Sequence, residues 1–192
     1  MTWTDSKGNF WLFGGIGADS TFEDGAFGYL HDLWEFNPST LEWTWMSGST
    51  TSATQPAVYG TLGTPSAANL PGGRALGSTW VDSSGNLWLF GGQGAFSLAP
   101  GLAYGPVGDF NDLWEFTPST MEWTWMGGTN PVNSQCNASS CVGQPGTYGT
   151  LGTPAPANIP GGRHGAVSYT HLDVYKRQPW SVRRRPLPWR RD

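Results

Sequence analysis

"DLWEFNPSTLEWTWM" fills residues 32–46, and "DLWEFTPSTMEWTWM" fills residues 112–126. The two stretches differ at two of fifteen positions, Asn37 against Thr117 and Leu41 against Met121. Self-similarity of this kind is the signature of a repeat architecture and outranks any single motif. Working outward, "GNFWLFGG" at 8–15 returns as "GNLWLFGG" at 85–92, an offset of 77, while the Trp-rich stretch returns after 80. "YGTLGTP" at 59–65 and "PGGR" at 71–74 return at 148–154 and 160–163, both after 89. Block order is kept while the spacing grows. The chain is therefore a tandem repeat whose second copy gains three residues between "FGG" and "DLW" and nine between "EWTWM" and "YGTLGTP".

Each block reads as a strand. "NLWLF" is a short apolar run closed by Gly91 and Gly92, the pattern of a strand buried on both faces. "DLWEF" runs into "TPST", where Pro118 fixes φ for a turn. "MEWTWM" alternates, with Trp123 and Trp125 on one face and Thr124 on the other. "LGSTWV" before "DSSGN" adds one more strand and a Gly-containing turn. Four strands per repeat, joined as an antiparallel meander, are expected, with no convincing helical period. Four-stranded meanders in tandem stack radially as propeller blades, burying aromatic faces between neighbours. On that reading the Trp residues are packing material between blades.

Composition agrees. Of 192 residues only 12% are charged, while Gly numbers 28 and Trp 12. The chain can bury apolar surface and turns often. No run of 18 apolar residues is present, so no membrane span is expected. The net charge of −4 divides unevenly. Residues 1–167 hold three basic and twelve acidic side chains, a balance of −9, and residues 168–192 hold seven and two, a balance of +5.

Gly-Gly closing an apolar strand, then a loop, Asp-Leu-Trp, an aromatic, Pro-x-Thr and a further Trp is similar to the kelch repeat. The match covers 9–46 and 86–126, and "PGGRHGAV" at 160–167 looks like the start of another copy. The resemblance implies an all-β fold: a kelch-type β-propeller fragment of two four-stranded antiparallel blades plus the start of a third. It assigns Gly14, Gly15, Asp32, Trp34, Trp43, Arg74, Gly91, Gly92, Asp112, Trp114, Trp123 and Arg163 to the structural motif. The spacing departs from the family, whose repeats run about 50 residues. The excess sits in two loops. The expected division is blade 1 at 1–49, with its first strand truncated, a connection at 50–73, blade 2 at 74–128, a Cys-containing connection at 129–162, the start of blade 3 at 163–167, and a tail at 168–192.

The tail has no Gly and no relation to the repeat. "VSYTHLDVYKRQ" resembles translated adapter read-through at the ends of metagenomic reading frames, so the tail is read as non-native and the nucleic-acid arm that its charge suggests is set aside. The remaining propeller blades are then expected on a longer parent chain, since about 4–8 close a ring.

Chemistry-bearing groups are sparse. His31 aligns with Asn111, so an amide serves there equally; His164 follows Arg163 in the motif; His171 lies in the tail. No His-x-x-x-His, Cys-x-x-Cys or Ser/His/Asp grouping occurs. Asp19, Glu23 and Asp24 cluster in the first long loop, but of such acids the second copy keeps only Asp109, so a solvated loop is preferred to calcium. Cys136 and Cys141, in "CNASSC", are the only cysteines and suit a local disulfide formed outside the cytoplasm. Asn137-Ala138-Ser139 is a glycosylation sequon that matters only in a secretory host. The kelch family includes copper enzymes related to galactose oxidase, but their converging Tyr, His and Tyr–Cys ligands are not matched here. No catalytic residue, metal or cofactor is assigned.

In a meander alternate turns fall at opposite ends. The turns "DSKGN", "DSSGN", "NPST" and "TPST" share one end and are short; loops 16–31 and 93–111 and connections 47–73 and 127–162 share the other, and both insertions land there. Binding specificity concentrates in loops on a rigid scaffold. Phe22, Phe27, Tyr29, Phe96, Tyr104 and Phe110 are the aromatic candidates for contact. The expected function is a non-catalytic, extracytoplasmic scaffold for a protein or glycan. The alternative is part of a larger kelch-type enzyme, galactose-oxidase-like or sugar-processing, with its catalytic residues elsewhere.

Overall fold

The computed structural model describes residues 1–18, 20, 28–50, 56–95, 107–130 and 143–166. Several candidates lie outside the described residues: Phe22, Phe27, Phe96, Tyr104, the acids Asp19, Glu23 and Asp24, the Cys136–Cys141 pair with its sequon, and the tail at 168–192.

Within the described residues the chain is all-β and antiparallel, with no helix. The first sheet is a meander of β1 (Thr2–Thr4), β2 (Phe10–Gly17), β3 (Gly28–Asn37) and β4 (Glu42–Ser47), paired in that order. The second sheet pairs β6 (Ser78–Val81), β7 (Leu87–Phe90), β10 (Leu113–Thr117) and β11 (Glu122–Gly127) in the same sense. The repeats fold alike down to register: Trp34 faces Trp45 and Phe36 faces Trp43, as Trp114 faces Trp125 and Phe116 faces Trp123. β1 is one residue shorter than β6, yet Met1 exchanges both backbone hydrogen bonds with Phe13, each 2.8 Å.

A third, three-stranded sheet has no counterpart in the sequence pattern. It joins β5 (Arg74–Ala75), β8 (Gln93–Ala95) and β9 (Val107–Asp109). In the first repeat the segments matching β8 and β9 are continuous with β2 and β3, which run past the glycine pair through a bulge between Phe13 and Gly15. Residues 143–166 contain no named strand, only a bridge between Thr147 and Ile159.

The core lies between the first two sheets. Trp11 and Phe13 of β2 meet Phe116 and Trp123 of the second sheet at ring separations of 5.8 and 5.3 Å. Leu87 and Leu89 are fully buried beneath them, while Trp88 and Phe90, on the other face of β7, are only half-buried. The "NLWLF" run is thus a strand with one covered face, not two, because only one neighbouring sheet packs on it. Trp3 donates its indole N–H to the Trp88 carbonyl at 2.9 Å, tying β1 to the second sheet. Gly14 and Gly91 take left-handed φ of +58° and +66°. A Cβ there would meet the Arg74 carbonyl at 2.7 Å or the Arg163 carbonyl at 2.8 Å, so each glycine admits the backbone that opens the next repeat.

Candidate functional site

The two ends of the sheets are built differently. At the short-turn end, Asp5 Oδ1 accepts from the Lys7 and Asn9 amides, and Asp82 Oδ1 from the Ser84 and Asn86 amides, all at 2.8–2.9 Å. The other carboxylate oxygens accept from Trp11 Nε1 and Trp88 Nε1 at 3.1 and 2.9 Å. Asn9 and Asn86 then donate to Glu35 and Glu115, both at 2.6 Å. The indole of Trp88, helped by the amides of Asn86 and Ser84, holds Asp82 below the usual carboxylate range despite slight desolvation. In these local networks both carboxylate oxygens of each aspartate are engaged by donors of the same turn or strand.

Between the ends lies a buried polar node. Asp112, fully buried, accepts from Arg74 Nη1 at 2.6 Å and Nη2 at 2.8 Å, from the Tyr59 hydroxyl at 2.7 Å and from Trp114 Nε1 at 2.8 Å. Arg74 also donates to the carbonyls of Gly72 and Gly91, both at 3.1 Å. Burial disfavours the charged guanidinium, but Asp112 and Tyr59 outweigh it, and Arg74 is held above its ordinary value. Burial, then the Asp112 charge, pushes Tyr59 well above the usual phenol range. Both groups keep their protons across physiological pH, so the node is a clamp and not an acid–base pair. It fixes the connection after β4 onto the second sheet: Tyr59 packs on Trp114 and Trp125 at 5.1 Å each, and Asn69 Nδ2 donates to the Trp123 carbonyl at 2.9 Å. The recurrent "YGTLGTP" block is this clamp's arm.

The node also reassigns one aromatic candidate. Phe110 is buried, with the Arg74 guanidinium carbon 4.1 Å from its ring centroid, so it carries packing and presents no surface to a ligand. Of the six aromatic candidates, Tyr29 alone is described and solvent-accessible.

At the long-connection end, Tyr29 donates to Gln93 Oε1 at 3.0 Å. Burial, then the nearby charge of Asp109, raises its phenol above the ordinary value. Asp109 faces Gln93 across β8 and β9, and its Oδ1 lies 2.8 Å from His164 Nδ1, with both side chains partly exposed. Tyr29, Gln93, Asp109 and His164 thus come together from four separate segments. Sequence reasoning singled out Tyr29 only as an aromatic, Asp109 only as a spare acid and His164 only as a motif residue; Gln93 had no signal. His31 is buried, and its Nε2 accepts from the Ser49 amide at 3.1 Å, as Asn111 Oδ1 accepts from the Thr129 amide at 3.0 Å. The two residues do the same structural task. Burial lowers the His31 pKa, opposed by the charge of Asp32. Among the described residues no group of three or more His, Cys, Asp or Glu side chains could hold a metal ion, and no helix is long and apolar enough to cross a membrane.

No family model matches the chain, and no curated protein matches it. Solved structures do. One described as the structure of YjhT is 20% identical with a TM-score of 0.40, over 67% of this chain and 37% of that one. The chain spans little more than a third of that structure's length.

Proposed function

We propose that this chain is a non-catalytic binding scaffold of the kelch type, its sheets stacking radially as propeller blades, that presents one loop-bearing end to a protein or glycan in an extracytoplasmic setting. The carrying observation is the contrast between the ends. At the short turns, Asp5 and Asp82 spend both carboxylate oxygens on local donors. At the other end Tyr29, Gln93, Asp109 and His164 gather an amphipathic ring, an amide, a carboxylate and an imidazole that solvent reaches. An aromatic platform beside planar hydrogen-bonding groups suits sugar rings and peptide backbones alike. The buried Arg74–Asp112 clamp supports a scaffold role, because it fixes the connection after β4 on the second sheet without exposing a reactive group.

The test is binding to immobilised glycan and peptide arrays. Tyr29→Ala and His164→Ala should each weaken any interaction found, and Lys7→Ala, on the short-turn end, should leave it unchanged. Loss with Lys7→Ala alone, or no interaction on either array, would count against the proposal.

A further inference from the structure

The three-stranded sheet and the end of the first sheet bring side chains of both repeats into one row. Residues opposite each other on antiparallel neighbours share a face. Ile16 stands opposite Tyr29 on β2 and β3, Ala75 opposite Gln93 on β5 and β8, and Gln93 opposite Asp109 on β8 and β9. Gly73, just before β5, abuts the Tyr29 carbonyl so closely that no side chain would fit there. β5 therefore runs between β3 and β8, and the row across the strands reads Ile16, Tyr29, Ala75, Gln93, Asp109. Strands lie about 4.8 Å apart, so the row spans on the order of 20 Å.

Tyr29 lies along this row. Its hydroxyl donates to Gln93 Oε1 at 3.0 Å, and to reach β8 from β3 the phenol passes over β5. The residue beneath it is Ala75, only 7% exposed and small enough for a ring to lie across. The ring forms a platform, and Ile16, 63% exposed, extends it at one end. At the other end the polar groups are already oriented. Gln93 turns Oε1 to the phenol, so its Nε2 hydrogens point away from the ring as donors. Asp109 holds Oδ1 against His164 Nδ1 at 2.8 Å, and its Oδ2 accepts no hydrogen bond among the described residues.

The openness of the row does not depend on where the sequence starts or stops. Ile16 holds in the first repeat the place of Gln93 in the second, and Tyr29 the place of Asp109. The first repeat has its following neighbour beside it and the second its preceding one, and solvent reaches all four side chains.

Charge and backbone narrow what fits. Lys7, Arg74 and Arg163 are the only lysines and arginines in residues 1–167. Lys7 belongs to the short-turn end, Arg74 is buried, and Arg163 holds the place of Arg74 with its Nε on the Gly161 carbonyl. An anionic ligand would meet Asp109 with no lysine or arginine to offset it. An extended peptide gains affinity by pairing with a free sheet edge, but on β9 the Asp109 carbonyl already accepts from the Gln144 amide at 3.2 Å.

We infer, on the footing of the binding scaffold proposed above, that this row takes a linear neutral glycan. One pyranose stacks its C–H face on the Tyr29 ring; one of its hydroxyl oxygens accepts from Gln93 Nε2, and the adjacent hydroxyl donates to Asp109 Oδ2. The length of the row suits several sugar units in line, with Ile16 under the next one.

Cellohexaose and mannohexaose serve as neutral probes and hexagalacturonate as the acidic one, each titrated into the full chain by calorimetry, with a peptide array beside them. A neutral hexasaccharide should bind and hexagalacturonate should not. Tyr29→Leu should weaken that binding about tenfold or more, whereas Tyr29→Phe, which keeps the ring, should stay within about threefold of wild type. Asp109→Asn should lower the neutral affinity about tenfold and admit hexagalacturonate. Far-ultraviolet circular dichroism checks that each variant is folded. Neutral binding unchanged by Tyr29→Leu, or a preference for hexagalacturonate, would overturn the inference. Peptides bound through Tyr29 with no hexasaccharide bound would overturn it and leave the binding scaffold standing, and no binding of any probe would sink both.

Discussion

Removing the Asp112 carboxylate should cost far more than removing its counterpart in the other repeat. Asp112 is fully buried and accepts four hydrogen bonds, two from Arg74 and one each from Tyr59 and Trp114. Asp112→Ala strands a guanidinium with no solvent access, and breaking a buried pair in this way costs about 3–5 kcal/mol. The orphaned Tyr59 hydroxyl and Trp114 indole place the value at the upper end. Asp32 is half-buried and is described with one donor, Trp34 Nε1, so Asp32→Ala should cost about 1 kcal/mol. With a urea dependence of roughly 2 kcal/mol per molar, the unfolding midpoint should fall by about 2.5 M for the first variant and about 0.5 M for the second. Replacing the pair together, Arg74→Met with Asp112→Leu, should recover part of the loss, because an apolar pair leaves no charge uncompensated while the Tyr59 hydroxyl and Trp114 indole stay without their acceptor. Equal midpoint shifts for Asp112→Ala and Asp32→Ala would refute the reasoning, since the clamp would then contribute nothing.

Three further outcomes are expected. Burial depresses the His31 pKa, so the unfolded chain takes up its proton first and stability present above about pH 6.5 is lost as pH falls below it; His31→Asn, the residue of the second repeat, should flatten that slope in urea titrations between about pH 7 and about pH 5. Met121 holds φ at +63° at the end of the "TPST" turn, so Met121→Gly should raise stability by about 1 kcal/mol, read as a higher thermal midpoint, whereas a drop would show that its side chain matters more than its backbone. Protein made in an oxidising compartment should show Cys136 linked to Cys141 by non-reducing peptide mapping, and two alkylatable thiols would count against the extracytoplasmic setting.

The eight long-range strand assignments were legible because the repeat states each one twice, and because "DLWEF" and "EWTWM" alternate on the strand period. β5, β8 and β9 were not. They are two or three residues long, and "QGA" and "VGD" have no apolar alternation. Their pairing depends on ends brought together across an insertion, which no local pattern encodes. "YGTLGTP" recurs unchanged in the sequence, but its partner is far off in the chain: the Gly63 amide donates to the Trp125 carbonyl of β11 at 2.8 Å. Motif likeness named Arg74 and Asp112; that they form one buried pair emerges only when β5 crosses behind Gly91. The same crossing explains Phe110, because a loop aromatic stacked under a guanidinium has the same sequence context as one facing a ligand. The polar group around Tyr29 was hidden for a similar reason: its members lie far apart in the chain, and none sits in a motif with its own chemistry.

The account rests on aromatic side chains acting as scaffold between the first and second sheets, and a double-mutant cycle between Phe13 and Trp123 tests that most directly. The rings meet at 5.3 Å from different repeats. Phe13→Leu, Trp123→Leu and the double variant, measured by urea unfolding, should show a coupling of about 1 kcal/mol. The same cycle between Phe13 and Trp43, which lies in the first sheet and is half exposed, should be additive. Additivity within about 0.3 kcal/mol for Phe13 and Trp123 would contradict the stacked arrangement on which the site and the clamp both depend.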